Sequence, residues 1–230
     1  MKTQFFNRTE AGQFLAENLS AYANRDDVLV LALPRGGVPV AAEVAKRLNA
    51  PLDVFVVRKL GLPGHPELAM GAIASGGVRV FNGEVMNSFR IPDEVVNAVT
   101  AEELIEIQRR EKAYRDDLPP LELEGKTVIL VDDGIATGST MLAAVAALRQ
   151  LNAASIVVAA PVIAGSIYYE IRRAADDVAA VIVPENFYAV GQWYEDFSQT
   201  SDDEVRELLA QAARRQPVEA RVAAMEPGME

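Results

Sequence analysis

Thr127-Val128-Ile129-Leu130-Val131-Asp132-Asp133-Gly134-Ile135-Ala136-Thr137-Gly138-Ser139-Thr140 reads as a strand, an acidic pair and a glycine turn that opens a helix. Residues 128–131 are apolar without alternation, which suits a strand buried on both faces of a parallel sheet. The two carboxylates that end the run then stand at the C-terminal edge of the sheet, where open α/β folds place ligands. In the turn at 137–140, backbone N–H groups and hydroxyls converge on one point at a helix start, a pattern that cradles a monophosphate. Adjacent carboxylates can accept hydrogen bonds from vicinal hydroxyls. A sugar 5-phosphate therefore fits the string, with the ribose over Asp132 and Asp133 and the phosphate in the turn. An ordinary strand-to-helix turn with a Ser or Thr cap is the alternative reading. A P-loop is excluded because no Lys follows Gly138, and no Gly-x-Gly-x-x-Gly follows the first strand.

Working outward, the same apolar texture recurs at 28–33, 52–57, 156–160 and 178–183. Between these runs lie stretches at helical spacing: 9–23, with Thr9 as cap, 38–48, 139–151 and 164–175. Strand then helix, repeated, predicts an α/β fold with a doubly wound, mainly parallel central sheet of about five strands. Two segments interrupt that alternation. The first, 59–83, is rich in Gly with Pro63 and Pro66, and reads as a long loop or an irregular hairpin. The second, 92–116, reads as a helix with Pro92 in its first turn, a capping box from Thr100 to Glu103, and a solvated Glu106/Arg110 pair. The expected organisation is one domain over 1–216, with an insertion at 59–120 above the sheet and a small hood at 184–200. A helix starts at Ser201, and 217–230 forms a flexible polar tail.

Composition narrows the chemistry. The chain of 230 residues carries Lys+Arg 22 against Asp+Glu 33, a net charge of -11. Such a surface does not attract nucleic acid or an anionic membrane, so any anion must be gripped locally. Zero Cys excludes thiolate metal sites and a Cys nucleophile, and a single His excludes a multi-histidine centre. No apolar span of membrane length and no secretory leader is visible, so a cytoplasmic protein is expected.

Residues 128–140 match in full the phosphoribosyl pyrophosphate (PRPP) motif of the type I phosphoribosyltransferases: an apolar strand, two acids, three variable residues and Thr-Gly-x-Thr. The resemblance implies that Asp132 and Asp133 face the ribose hydroxyls and share a Mg²⁺ ion, while Ala136, Thr137, Gly138, Ser139 and Thr140 hold the 5-phosphate. Leu33-Pro34-Arg35-Gly36-Gly37-Val38 follows the first strand. In the resembled family that loop holds pyrophosphate, often through a non-proline cis peptide, which makes Arg35, Gly36 and Gly37 PRPP-binding candidates and Arg35 a catalytic candidate beside the two acids. Arg58-Lys59-Leu60-Gly61-Leu62-Pro63-Gly64 is similar to a stretch of adenine phosphoribosyltransferases, one residue shorter, and adds Arg58 and Lys59 as PRPP-binding candidates. Phe187, Tyr188 and Trp193 resemble the aromatic hood that stacks on a base; a satellite core of Phe187, Trp193 and Phe197 is the other reading.

Hypoxanthine–guanine members place an Asp just before Thr-Gly; here Ala136 stands there, as in adenine-type members. His65 and Glu67 are the remaining, weak candidates for a general acid or base. The resemblance is strongest to predicted phosphoribosyltransferases of unassigned acceptor. It implies Mg²⁺-dependent transfer of 5-phosphoribose from PRPP to a nitrogenous, purine-like base in nucleotide salvage, by small-molecule partners alone and in a chain compatible with a homodimer. A non-catalytic PRPP or nucleotide sensor and a hydrolase stay open as alternatives.

Overall fold

Apolar residues at consecutive positions need cover on both faces, and the computed structural model of the chain supplies it. The structure describes residues 3–116 and 119–215. In chain order the elements are α1 (Arg8–Asn18), β1 (Val28–Ala32), α2 (Gly37–Leu48), β2 (Leu52–Val54), β3 (Val57–Leu62), β4 (His65–Ala74), β5 (Arg79–Phe81), α3 (Gly83–Phe89) and α4 (Asp93–Arg115). There follow β6 (Thr127–Val131), α5 (Ser139–Gln150), β7 (Ser155–Val162), α6 (Gly165–Ala174), β8 (Asp177–Ile182) and α7 (Asp202–Arg215). The central sheet has the order β2-β1-β6-β7-β8, all parallel.

Successive strand residues point to opposite faces, so each central strand feeds two cores. Val28, Val30, Ile129, Val131 and Val157 pack under α1, α2 and α7. Leu31, Val128, Leu130, Ile156 and Val158 pack under α5 and α6. The doubly wound sheet expected from the sequence is thus present. Register then places the loops: Ala32 is opposite Val131, and Val131 is opposite Ala159. The chain leaves β1 and β6 at the same level, so the loops after them share one edge. Among the described residues no helix is long and apolar enough to cross a membrane.

The insertion is more ordered than a loop. β3, β4 and β5 form an antiparallel sheet with irregular register around Gly61. One face of it closes a third core with α4 through Leu60, Met70, Ile73, Val96 and Ile107. The strand expected over 52–57 breaks after Val54 because Phe55 and Val56 enter different cores and Val57 pairs with Ala74 in the second sheet. Asn7, not Thr9, caps α1, its side chain accepting from the Glu10 N–H at 3.0 Å. Thr100 lies inside α4, so no capping box forms there; the helix starts at Asp93, with Pro92 as its cap residue. Glu106 and Arg110 do pair, at 2.7 Å. Ser201 caps α7 by accepting from the Glu204 N–H at 3.1 Å. The tail expected at 217–230 lies outside the described residues.

Candidate functional site

The edge after β1 and β6 gathers the predicted loops. The Leu33 N–H donates to the Val131 carbonyl at 2.9 Å, and the Asp132 N–H to the Ala159 carbonyl at 3.2 Å, so the loop at 33–37 runs directly over the acid pair. A Cβ on Gly36 would overlap the Asp133 carboxylate, and one on Gly37 would lie 2.7 Å from the Val131 carbonyl. Both glycines are therefore required by passage over the acids, whatever else their backbone does. The Pro34–Arg35 peptide is cis.

The two carboxylates have different surroundings. Asp132 Oδ1 accepts from the Asp133 N–H at 2.8 Å. Burial, reinforced by the neighbouring Asp133, pushes the Asp132 carboxyl well above the usual carboxylate range. Asp133 Oδ2 instead accepts from Arg8 Nε at 2.8 Å, with the two side chains only 14% and 11% exposed. Arg8 Nη1 donates to the Ser198 carbonyl at 2.7 Å, and its guanidinium carbon lies 4.0 Å from the Phe197 ring centroid. The Tyr194 hydroxyl donates to the Asp133 carbonyl at 2.5 Å, and burial raises this phenol.

The hood is built from both ends of the described chain. Phe5 pairs in parallel with Tyr194; its N–H donates to the Trp193 carbonyl at 2.8 Å, and its carbonyl accepts from Glu195 at 2.9 Å. The Phe187 and Trp193 rings stack at 6.2 Å, and Trp193 also joins the small core around Phe5, so the satellite-core reading holds for it. Tyr188 is 89% exposed. Val190 of the hood also reaches the loop, against Gly134.

At the turn, Gly138 has φ 73, a left-handed conformation, and a Cβ there would meet Ile167 Cγ1 at 2.5 Å. Glycine is required on both counts. No side chain caps α5, and the Thr137 and Ser139 hydroxyls stand 3.4 Å apart. These groups border a cavity of about 120 Å³ between Asp132, the 134–141 backbone and Val190. Asp132 and the phosphate turn predicted from sequence thus share one cavity, Ala136 included, while the Asp133 carboxylate turns to Arg8.

The predicted cations diverge. Arg35 Nη1 lies 3.6 Å from Asp202 Oδ1 at the start of α7. That same oxygen accepts from the Tyr114 hydroxyl at 2.6 Å; burial and then Asp202 push Tyr114 up to about 12. Lys59 lines a larger cleft of about 430 Å³ between the antiparallel sheet and α5, which Ser139 and Thr140 also line. Its neighbour Arg58 faces the other side of β3 and bonds Glu103 of α4 at 2.7 Å. Strand alternation therefore separates two residues that the sequence placed together. His65 is exposed at the hairpin, 6.3 Å from Phe89; the Glu67 side chain lies outside the described residues. Among the described residues no three or more His, Asp or Glu cluster to hold a metal. Mg²⁺ needs only one or two carboxylates when substrate phosphates complete its shell, and the acid pair fits that partial role.

Sequence reasoning missed Arg8, Tyr194, Asp202 and Phe5. Arg8 lies 125 positions from its partner, and an Arg near a helix start carries no signal of such a contact.

Comparison with known proteins agrees with this geometry. The phosphoribosyl transferase domain family matches residues 4–198. Two Mycobacterium tuberculosis proteins, from strains CDC 1551 / Oshkosh and ATCC 25618 / H37Rv, carry the name of candidate phosphoribosyl transferases. Each is 47% identical over 210 residues, covering 91% of this chain and 47% of the relative. The chain thus spans about half the length of these curated relatives. The crystal structure of TT1426 from Thermus thermophilus superposes with a TM-score of 0.80 at 39% identity, covering 90% of this chain and 98% of that one.

Proposed function

The chain belongs to the phosphoribosyl transferase domain family, and from that premise we propose that it transfers 5-phosphoribose from PRPP to a nitrogenous, purine-like base, releasing pyrophosphate. The observation that carries this reading is the single cavity shared by Asp132 and the uncapped turn at 137–140, with the Arg35 loop on the same sheet edge. The turn's N–H groups and hydroxyls hold the 5-phosphate. Asp132 and Asp133 accept from the ribose hydroxyls and fix the ring. The bond from the anomeric carbon to pyrophosphate breaks with its electron pair leaving on pyrophosphate, and a ring nitrogen of the base forms the new bond as the base gives up its N–H proton to solvent or to the released pyrophosphate. Arg35, released from Asp202 by the incoming anion, stabilises the leaving charge. Lys59 reaches the phosphate side from the antiparallel sheet. Phe187, Tyr188 and Trp193 are the base-side aromatics, of which Tyr188 has the most open face. When Mg²⁺ is bound, it supplies charge neutralisation of the pyrophosphate, and Asp132 and Asp133 are the residues that would share it with the substrate.

A second reading, a non-catalytic PRPP or nucleotide sensor, is favoured by one observation: Arg58, expected on the pyrophosphate side, is engaged by Glu103. A screen of purine and pyrimidine bases with PRPP and Mg²⁺, read by pyrophosphate release, separates the two. Base-dependent release supports transfer. Release without any base points to hydrolysis, and no release with any base favours the sensor.

A further inference from the structure

Asp133 is the residue where three distant segments meet. Arg8 of α1 donates to it at 2.8 Å, the Gly36 backbone passes directly over it, and Tyr194 of the hood holds the carbonyl of the same residue at 2.5 Å. A Cβ at Gly36 would lie 3.3 Å from Arg8 Nε, so this guanidinium also borders the loop that carries Arg35. It also contacts the hood side, through the Ser198 carbonyl and the Phe197 and Tyr194 rings. One side chain therefore touches the acid pair, the loop after β1 and the hood together.

A burial requirement does not explain this arrangement. A nearly buried ion pair is a poor device for stability, because desolvation of both charges offsets most of their attraction and an apolar pair would serve as well. Arg8 also ends on a carboxylate that stands at the ligand edge of the sheet, not on one of the outer-face acids. With Asp133 Oδ2 held by Arg8, the orientation of that carboxylate beside Asp132 is fixed from the α1 side.

We propose that Arg8 is a positioning residue for the ribose subsite: it fixes Asp133 so that one oxygen is presented to a sugar hydroxyl, and it ties that orientation to the hood. The proposal rests on the PRPP reading above and adds to it a residue outside the PRPP motif. Arg8 acts through Asp133 and is not itself assigned a bond to substrate.

The test is a double-mutant cycle in PRPP binding, measured by calorimetry with Mg²⁺ on the full chain. Arg8→Met keeps an apolar side chain and removes the charge and the donors; it weakens PRPP binding by about ten- to a hundredfold, the usual effect of losing a hydrogen bond to a charged group. Arg8→Lys keeps the charge and recovers part of that loss. In an Asp133→Asn background, Arg8→Met changes binding by less than about threefold, because the partner it orients is already altered. Additive losses in the double variant, or unchanged binding in Arg8→Met, overturn the proposal while leaving the PRPP reading intact. Absence of binding in the unmodified protein overturns the PRPP reading and this role with it. If Arg8→Met fails to fold by circular dichroism, the cycle is run with Arg8→Lys, whose loss must likewise vanish in the Asp133→Asn background.

Discussion

Gly36→Ala separates two physical effects that point in opposite directions. Gly36 has φ -60 and ψ -31, an ordinary right-handed helical conformation at the head of α2. Local backbone preference alone therefore predicts that alanine stabilises the fold by about 0.4–1 kcal/mol, through the lower entropy of the unfolded chain. The surroundings predict the reverse. The new methyl would overlap the Asp133 carboxylate and lie 2.7 Å from its carboxyl carbon. Ordinary contacts between carbon and a non-bonded heavy atom begin at about 3.3–3.5 Å, so the carboxylate, with its oxygen the nearer atom, must retreat by more than roughly 1 Å. It cannot do so without loosening its 2.8 Å bond to Arg8. Overpacking of about 1–3 kcal/mol, plus part of a charged hydrogen bond worth about 1.5–3 kcal/mol, gives a net loss of roughly 2–4 kcal/mol. For a chain of this size that lowers the melting temperature by roughly 5–15 °C. Thermal unfolding followed by circular dichroism reads the change. Gly83→Ala is the control, since a Cβ there meets nothing within 4 Å; its melting temperature stays level or rises slightly. A Gly36→Ala protein that melts at or above the unmodified one would refute the packing argument.

Two further predictions concern the same edge of the sheet. Gly138→Ala places a Cβ on a residue at φ 73 and 2.5 Å from Ile167 Cγ1, so it destabilises by about 1–2 kcal/mol from the backbone alone and by more from the contact; Ile167→Ala in the same chain relieves the contact part, and equal urea midpoints for single and double variants would contradict this. Asp132 titrates above its ordinary value of about 3.9 when folded, so above that pH the folded state holds a proton the unfolded chain has released. Stability therefore falls as pH rises from about 4 through the raised value. Urea midpoints across that range show the slope in the unmodified protein and its loss in Asp132→Asn; identical slopes would speak against the burial of this acid.

The central sheet was legible because the runs at 28–33, 128–131 and 156–160 are unbroken apolar stretches that one sheet buries on both faces, and the partly covered edge strand at 178–182 keeps the same apolar texture. At 52–57 the periodicity is equally apolar, but the chain crosses from one sheet to another, and hydrophobicity does not record which core a residue enters. The phosphate turn was legible for a different reason: Gly138, the hydroxyls and the helix start are contiguous in sequence, so local chemistry assembles them. Arg8, Asp202 and Tyr194 reach the site only through tertiary packing, and nothing in their neighbours announces it. Arg58 and Lys59 show the converse error. Adjacency in sequence on a strand means opposite faces, so Lys59 reaches the cleft beside α5 while Arg58 turns to Glu103.

The most direct measurement is a calorimetric titration of the protein with PRPP, with and without Mg²⁺, alongside Asp133→Asn and Arg35→Ala. The account predicts Mg²⁺-dependent binding by the unmodified protein and a loss of about tenfold or more in each variant. No heat of binding at millimolar PRPP with Mg²⁺, or full-strength binding in both variants, would contradict it.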